Sequence, residues 1–528
     1  MQTAKTRSST RNAALVGLGI LLSRLIGLVR ERIFAHYFGN SDAADAFKAA
    51  LKIPNLLQNL FGEGALSSSF IPVYSALLAS DKKKEADRVA QVVGSILAVT
   101  MSLLVLLGVV ATPYLIDLIA PGFAGVKRDF TIRIVRILFP GVGILVLSAW
   151  CLGILNSHRR FFLPYAAPVL WNLAMIAVLV GFGGRTRPYP LAELLAWGAV
   201  AGSFLQFAVQ VPSVIRLTGR FRFRFQIETA TANVRTIIRN FMPGVASRGV
   251  NQVSSYVDQI LASFLPSGAV AALAYAQTLY LLPVSLFGMS VSNAELPEMS
   301  SAFGTAENTG QVLRDRLNAA LRRVAFFIIP SAAAFLLLGD SIVGFVFQTG
   351  KFTPQDVIYV WAVLGGASVG LLASTLGRLY TSAFWALRDT RTPLRFATVR
   401  VVLTAGLGWL LAFPVPRWLG ISPSLGLVGL TASAGIAAWV EFSLLRAFLN
   451  RRVGRTGLAA SFVWQLWTIA ALAAASAFAL KMWTRAWKPE FSGALVISVY
   501  GVLYFALVAA FRIPEATHLL TRIRGRIR

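Results

Sequence analysis

The residues with chemical potential crowd into one stretch. Between Ser23 and Pro72 the chain carries Arg24, Arg30, Glu31, Lys48, Lys52 and Glu63 on a background of Leu, Ile, Val, Phe and Ala. A charge at the centre of a bilayer costs roughly 2.5–3.5 kcal/mol on insertion scales, so charges at this density point to a wet, ion-lined space inside a helix bundle. Positions three, four and seven apart share a helix face. At about 100° per residue Lys48, Lys52, Asn55, Asn59 and Glu63 fall within roughly 80° of one another. Arg24 and Glu31 face together, and Arg30 is displaced by about 120°. A second polar face holds Arg248, Asn251, Gln252, Ser255 and Gln259, and the eighth span adds Gln277, Thr278, Ser292, Asn293 and Glu295. Guanidinium groups stay charged and grip oxyanions bidentately, so such a space suits an anionic, phosphorylated ligand. Arg133, Arg136 and Arg378 are further candidate cations, whereas Lys48 is expected to snorkel toward the membrane edge and Arg400 to sit at an interface.

The elements that must carry these residues are membrane helices. Of 528 residues, 56% are hydrophobic and only 14% charged, with mean hydropathy +0.66. A soluble chain has about 25% charged residues. With spans of about 20 apolar residues, the sequence reads as all-α and polytopic, with about 14 transmembrane helices. They lie near 13–36, 47–78, 90–118, 130–156, 163–184, 189–216, 236–265, 268–299, 313–339, 355–387, 393–414, 422–448, 457–483 and 491–512. With the N-terminus inside, the inside segments hold about 30 Lys and Arg and the outside ones about 8, a positive-inside pattern that makes both termini cytoplasmic.

A short repeat divides the chain. Ser23-Arg24 precedes Phe61-Gly62, and Ser247-Arg248 precedes Phe287-Gly288 at nearly the same spacing; Pro54 and Pro72 match Pro283 and Pro297. Six spans per copy give two six-helix lobes in a parallel pseudo-twofold arrangement, with two C-terminal helices added. The expected organisation is an N-terminal lobe over 1–216, a basic cytoplasmic loop over 217–235, a C-terminal lobe over 236–450, and two helices with a basic tail over 451–528.

Composition and missing motifs exclude other chemistry. The net charge of +28 follows membrane topology and lipid attraction, so no nucleic-acid partner is expected. A single cysteine, Cys151, and three scattered histidines, His36, His158 and His518, argue against a metal cluster. No nucleotide-binding P-loop, HExxH or GxSxG motif occurs, so a transporter rather than an enzyme is expected, without a cofactor.

The block DAFKAALKIPNLLQNLFGEGALSSSFIPVYSA, with SRLIGLVRE before it, resembles the MurJ (MviN) family of lipid II flippases, of the MOP transporter superfamily. DQILASFLPSG at 258–268, FGMSVSNAELPEMS at 287–300 and ALRDTRTP at 386–393 extend the likeness over essentially the whole chain. The resemblance implies that the undecaprenyl-diphosphate-linked peptidoglycan precursor crosses the bacterial inner membrane by alternating access. Its headgroup would lie in a central cationic cavity and its tail near the last two helices. It implies membrane lipids and cell-wall synthesis enzymes as partners, and sodium, a proton or the membrane potential as the drive. Arg24, Arg30, Glu31, Asp45, Lys52 and Glu63 match the family's pattern; Asp258 matches a residue proposed as a sodium ligand, and Asp389 is a further ion-binding candidate. The substrate-binding set expected here is Arg24, Arg30, Glu31, Lys52, Asn55, Asn59, Glu63, Arg248, Asn251, Gln252 and Arg378. The chain departs from the family at Gln58, where a basic residue is usual, and at Gln277-Thr278, where an acidic-basic pair is usual. These departures leave open a flippase for another polyprenyl-linked saccharide, a drug exporter of the same superfamily, or a non-transporting scaffold for cell-envelope synthesis.

Overall fold

A computed structural model describes residues 2–219, 232–301 and 309–517; within its helices the side chains of Glu63, Arg248, Asn251 and Gln252, all expected site residues, lie outside the described ones. Among the described residues the secondary structure is helical, with no strand. The chain divides into two compact units, Met1–Val270 and Ala271–Arg528.

The first unit contains α1 (Gln2–Phe38), α2 (Asp42–Leu57), α3 (Ala65–Ala79), α4 (Lys83–Ile119), α5 (Gly125–Ser157), α6 (Phe162–Ala166), α7 (Pro168–Phe182), α8 (Pro188–Ala208), α9 (Val211–Thr218) and α10 (Ala232–Ser263). The second contains α11 (Ala269–Pro283), α12 (Ser290–Ser301), α13 (Thr309–Leu337), α14 (Gly339–Phe347), α15 (Pro354–Ser368), α16 (Leu371–Ala386), α17 (Arg391–Ala412), α18 (Pro414–Trp418), α19 (Gly426–Val453), α20 (Ala460–Trp483) and α21 (Pro489–Ala510). Ten helices among the described residues are long and apolar enough to cross a membrane, or eleven if α15 and α16, bent by 40°, form one span. The other three expected spans, near 13–36, 47–78 and 236–265, are helical but are not among these; they are the stretches that hold the ionisable residues.

The sequence repeat has a structural counterpart. α2 passes through a π-helical segment, Gln58–Gly64, into α3, and α11 passes through another, Val284–Met289, into α12. Each π segment follows a helix containing a proline, Pro54 or Pro283, and each contains the repeated Phe-Gly pair. A proline withholds one backbone donor and crowds the preceding turn, and a wider turn absorbs the misfit. The π segment also corrects the helical-wheel reading. Past Gln58 the turn is no longer that of an α-helix, so the α-helical spacing used to group Asn59 with Lys48, Lys52 and Asn55 does not continue through this segment.

The core of the first unit joins Leu66, Phe70 and Tyr74 of α3, Val89, Val93 and Leu97 of α4, and Val146, Trp150 and Ile154 of α5; Val234 and Ile237 of α10 complete it. In the second unit α21 docks on α13 through two tyrosines. Pro330 has no N–H to offer the carbonyl of Phe326, and Tyr504 Oη donates to that carbonyl at 2.7 Å; Tyr500 Oη donates to the carbonyl of Pro330 at 2.7 Å. The bend between α15 and α16 needs Gly370, because a Cβ there would sit 2.3 Å from the Cα of Gly435 on α19.

Candidate functional site

Glu31 on α1 is the hub of a buried charge group. Its carboxylate accepts from Arg30 Nη2 at 2.5 Å and, through its other oxygen, from Lys48 Nζ of α2. Glu31 and Lys48 are 6% and 8% exposed. The Arg30 guanidinium lies over the Trp171 ring at 4.9 Å, and the Lys48 ammonium lies over Phe34 at 4.2 Å. Two cations share one carboxylate, so the three side chains together carry a formal positive charge, and the aromatic faces beneath Arg30 and Lys48 add to their stabilisation. Lys48 therefore does not snorkel as its position suggested. A carboxylate seventeen residues earlier, on a separate helix, holds it inside.

One turn further along α2, Lys52 is partly exposed; its carbonyl accepts from Tyr256 Oη at 2.9 Å, and its ammonium is in electrostatic contact with Asp258, both from α10. Asn55 and Asn59 are exposed, as is Arg24 on α1. The first unit thus carries Arg24, Arg30 and Glu31 on α1, Lys52 and Asn55 on α2, Asn59 in the π segment that follows, and Asp258 on α10. In the second unit Arg378 is exposed on α16 between buried neighbours and lies in electrostatic reach of Tyr280, Arg400 and Glu441. Arg400 pairs with Glu441 at 3.1 Å, a partner its sequence position did not reveal. Glu295 pairs with Arg323 at 2.8 Å. Thr278 Oγ1 donates back to the carbonyl of Ala274 at 2.9 Å, so its hydroxyl is engaged within its own helix.

Asp389 occupies a different setting, in the turn before α17. It accepts from the N–H groups of Arg391 and Thr392 at 3.1 and 3.0 Å, from Thr392 Oγ1 at 2.8 Å, and from Arg452 at 2.8 Å. The Thr392 backbone donor, followed by its hydroxyl and Arg452, holds this carboxyl below the usual carboxylate range. Among the described residues no three His, Cys, Asp or Glu side chains converge as metal ligands.

A polar knot at one end of the first unit was not singled out by polar periodicity. Asp45, 1% exposed, accepts from Lys127 Nζ at 2.6 Å and from the Gly268 N–H at 2.8 Å; Lys127 also meets Asp42 at 2.8 Å and lies over Phe123 at 4.4 Å. The knot joins α2, the start of α5 and the turn after α10. Gly268 is required there: its φ is +89°, and a Cβ would approach the Asn40 carbonyl oxygen to 2.6 Å. The signal available in the sequence was the pairing of a lone loop lysine with an acidic helix start, which contact alone makes specific.

A sequence model described as "Lipid II flippase MurJ" matches residues 34–498. A protein of Rhizobium meliloti (strain 1021), named "Probable lipid II flippase MurJ", is 32% identical over 448 residues, which is 84% of this chain and 81% of that one. A protein of Burkholderia cenocepacia named "Lipid II flippase MurJ" is 29% identical over 439 residues, 82% of each. Among solved structures, "Lipid II flippase MurJ, inward closed conformation" superposes with a TM-score of 0.76 at 24% identity, over 94% of this chain and 98% of that one. An inward-facing multidrug resistance MATE family transporter of the MOP superfamily superposes at 0.66 with 17% identity, over 82% and 94%. At these identities the structural likenesses establish the fold.

Proposed function

This chain belongs to the lipid II flippase MurJ family, and from that membership we propose that it moves the undecaprenyl-diphosphate-linked peptidoglycan precursor across the bacterial inner membrane by alternating access. It is a multi-pass membrane protein and a transporter, not an enzyme. In this reading the cationic faces of α1, α2 and α10 take the diphosphate and sugars of the headgroup. Arg24, Arg30 and Lys52 neutralise the phosphates, with Arg248 as a further cation. Asn55, Asn59, Asn251 and Gln252 serve the sugar hydroxyls, and Glu31 and Glu63 limit the net charge. The observation that carries the proposal is the Arg30–Glu31–Lys48 group, in which two cations meet one carboxylate on buried faces of α1 and α2 in a chain of the lipid II flippase family. A cationic field of this sign favours an anionic substrate and disfavours the cationic cargo of a drug exporter.

The positive-inside pattern supports cytoplasmic termini. For coupling to sodium or a proton, Asp258, in electrostatic contact with Lys52, is the candidate carboxylate within the helices, while Asp389 lies in the turn before α17 with Arg452. Gln58 and the engaged hydroxyl of Thr278 favour a second reading, a flippase for another polyprenyl-linked saccharide with a less anionic headgroup. The test is rescue of a strain depleted of its own lipid II flippase, scored together with precursor exposure on the outer leaflet. The wild-type chain should rescue, and Arg24→Ala and Arg30→Ala should accumulate in the membrane without rescuing. No rescue by the wild type would transfer the assignment to the other saccharide, and full rescue by both variants would reject the cationic faces.

A further inference from the structure

A groove on the first unit, away from the charge group on α1 and α2, has the chemistry of a lipid site. On α5 the residues Asp129, Arg133, Arg136 and Pro140 form one exposed strip, while Ile134, Val135, Leu138 and Phe139 between them are buried. Glu193 and Trp197, one turn apart on α8, form the facing wall of a cavity of ≈ 560 Å³. From Asp129 to Pro140 the strip climbs about 16 Å, passing from charged to apolar lining, as a phospholipid does from headgroup to acyl chain.

The charges at the mouth select among headgroups. Arg133 Nη2 meets Glu193 Oε1 at 2.9 Å, and Asp129 lies 3.5 Å from Arg128. Arg136 Nε donates to the carbonyl of Val109 on α4 at 3.3 Å. That carbonyl lacks a helical donor because residue 113 is proline. The bond anchors the guanidinium while leaving its terminal nitrogens for a ligand, and no carboxylate pairs with Arg136 among the described residues. Two guanidinium groups and two carboxylates line the groove, so its formal charge is zero. A purely anionic headgroup would meet Arg136 but also Asp129 and Glu193. A headgroup with one phosphate and one primary ammonium satisfies both signs, and a quaternary ammonium has no N–H to donate to the carboxylates. We propose that this groove is a binding site for a phospholipid with a phosphoethanolamine headgroup, the phosphate on Arg136 and the ammonium between Asp129 and Glu193, with the upper acyl chain along Pro140 and Trp197.

The test uses the full chain, stripped in detergent and reloaded with equal amounts of phosphatidylethanolamine, phosphatidylcholine and phosphatidylglycerol, with retained lipid counted by native mass spectrometry. The ethanolamine lipid should be retained about five-fold over each of the others, the scale of one partly exposed charge-assisted contact. Arg136→Gln and Glu193→Gln should each bring that ratio near one. In a parallel measurement that leaves the charges intact, brominated ethanolamine lipid should quench a fluorescence component that Trp197→Phe removes, and brominated choline lipid should quench it less. Equal retention of the three lipids, preference for the glycerol lipid, or an unchanged ratio in Arg136→Gln would overturn the assignment. So would equal quenching by both brominated lipids.

Discussion

Replacing Glu31 by Gln keeps the side chain's shape and removes the one charge that Arg30 and Lys48 share. The side chains of Glu31, Lys48 and Arg30 are 9%, 8% and 15% exposed, so water is poorly placed to substitute. One amide oxygen can accept from one cation, but the amide nitrogen then turns toward the other. Removing one partner of a buried ion pair costs about 3–5 kcal/mol, because a charge is left buried without compensation. Two cations are left here, which places Glu31→Gln at the upper end, about 4–5 kcal/mol. Lys48→Met is the contrasting perturbation. It leaves the Arg30–Glu31 pair intact and fills the site beside Phe34 with an apolar chain, so its cost should be only about 1–2 kcal/mol. In the double variant only Arg30 remains, still over the Trp171 ring, and about half of the single-variant loss should return. Reversible unfolding in mixed micelles, titrated with dodecyl sulfate, measures all three. The expected order of stability is Lys48→Met, then the double variant, then Glu31→Gln. A Glu31→Gln protein within about 0.5 kcal/mol of wild type would show that the group is solvated, and the account of a buried, net positive hub would fall.

Other perturbations read other parts of the fold. Tyr504→Phe strands the Phe326 carbonyl that Pro330 cannot serve, and should cost about 1–3 kcal/mol in the same titration, against a near-neutral change at an exposed tyrosine such as Tyr114. Asp45→Asn should destabilise the first unit by about 2–4 kcal/mol and speed hydrogen exchange at the Gly268 amide; Lys127 keeps Asp42, which limits the loss. His158, just past α5, is held below its ordinary value of 6.5 by burial, then by Lys83 and Arg160, and shares a hydrogen bond of 3.0 Å with Tyr74 Oη. Its neutral form is favoured in the folded state. The associated stability is complete above the ordinary value and drains away as pH falls through it toward the lowered one. The melting temperature should therefore drop as pH falls through the ordinary value of 6.5, and His158→Gln should flatten that drop.

What the sequence by itself determined was everything that depends on local pattern. Apolar runs of spanning length, basic loops and missing motifs pointed to a polytopic helical transporter, and the expected stretches are helical. The paired Pro and Phe-Gly positions marked equivalent places in two halves, and each proved to hold a π segment. The density of ionisable residues on α1 and α2 marked the helices that carry the buried Arg30–Glu31–Lys48 group. What only the tertiary structure decided was which charges answer one another. Lys48 looked like an edge residue because periodicity reports a face and a depth but not a neighbour on another helix, and its partner is Glu31. Asp45 and Lys127 are 82 residues apart and carry no shared period, so only packing makes them a pair. The π segments likewise came only from the structure, since a proline announces a disturbance without stating how the backbone absorbs it. Spacing along a chain encodes direction within one element. Whether two charges meet depends on how separate elements pack, and that sets whether a charge is solvated, paired or left available to a substrate.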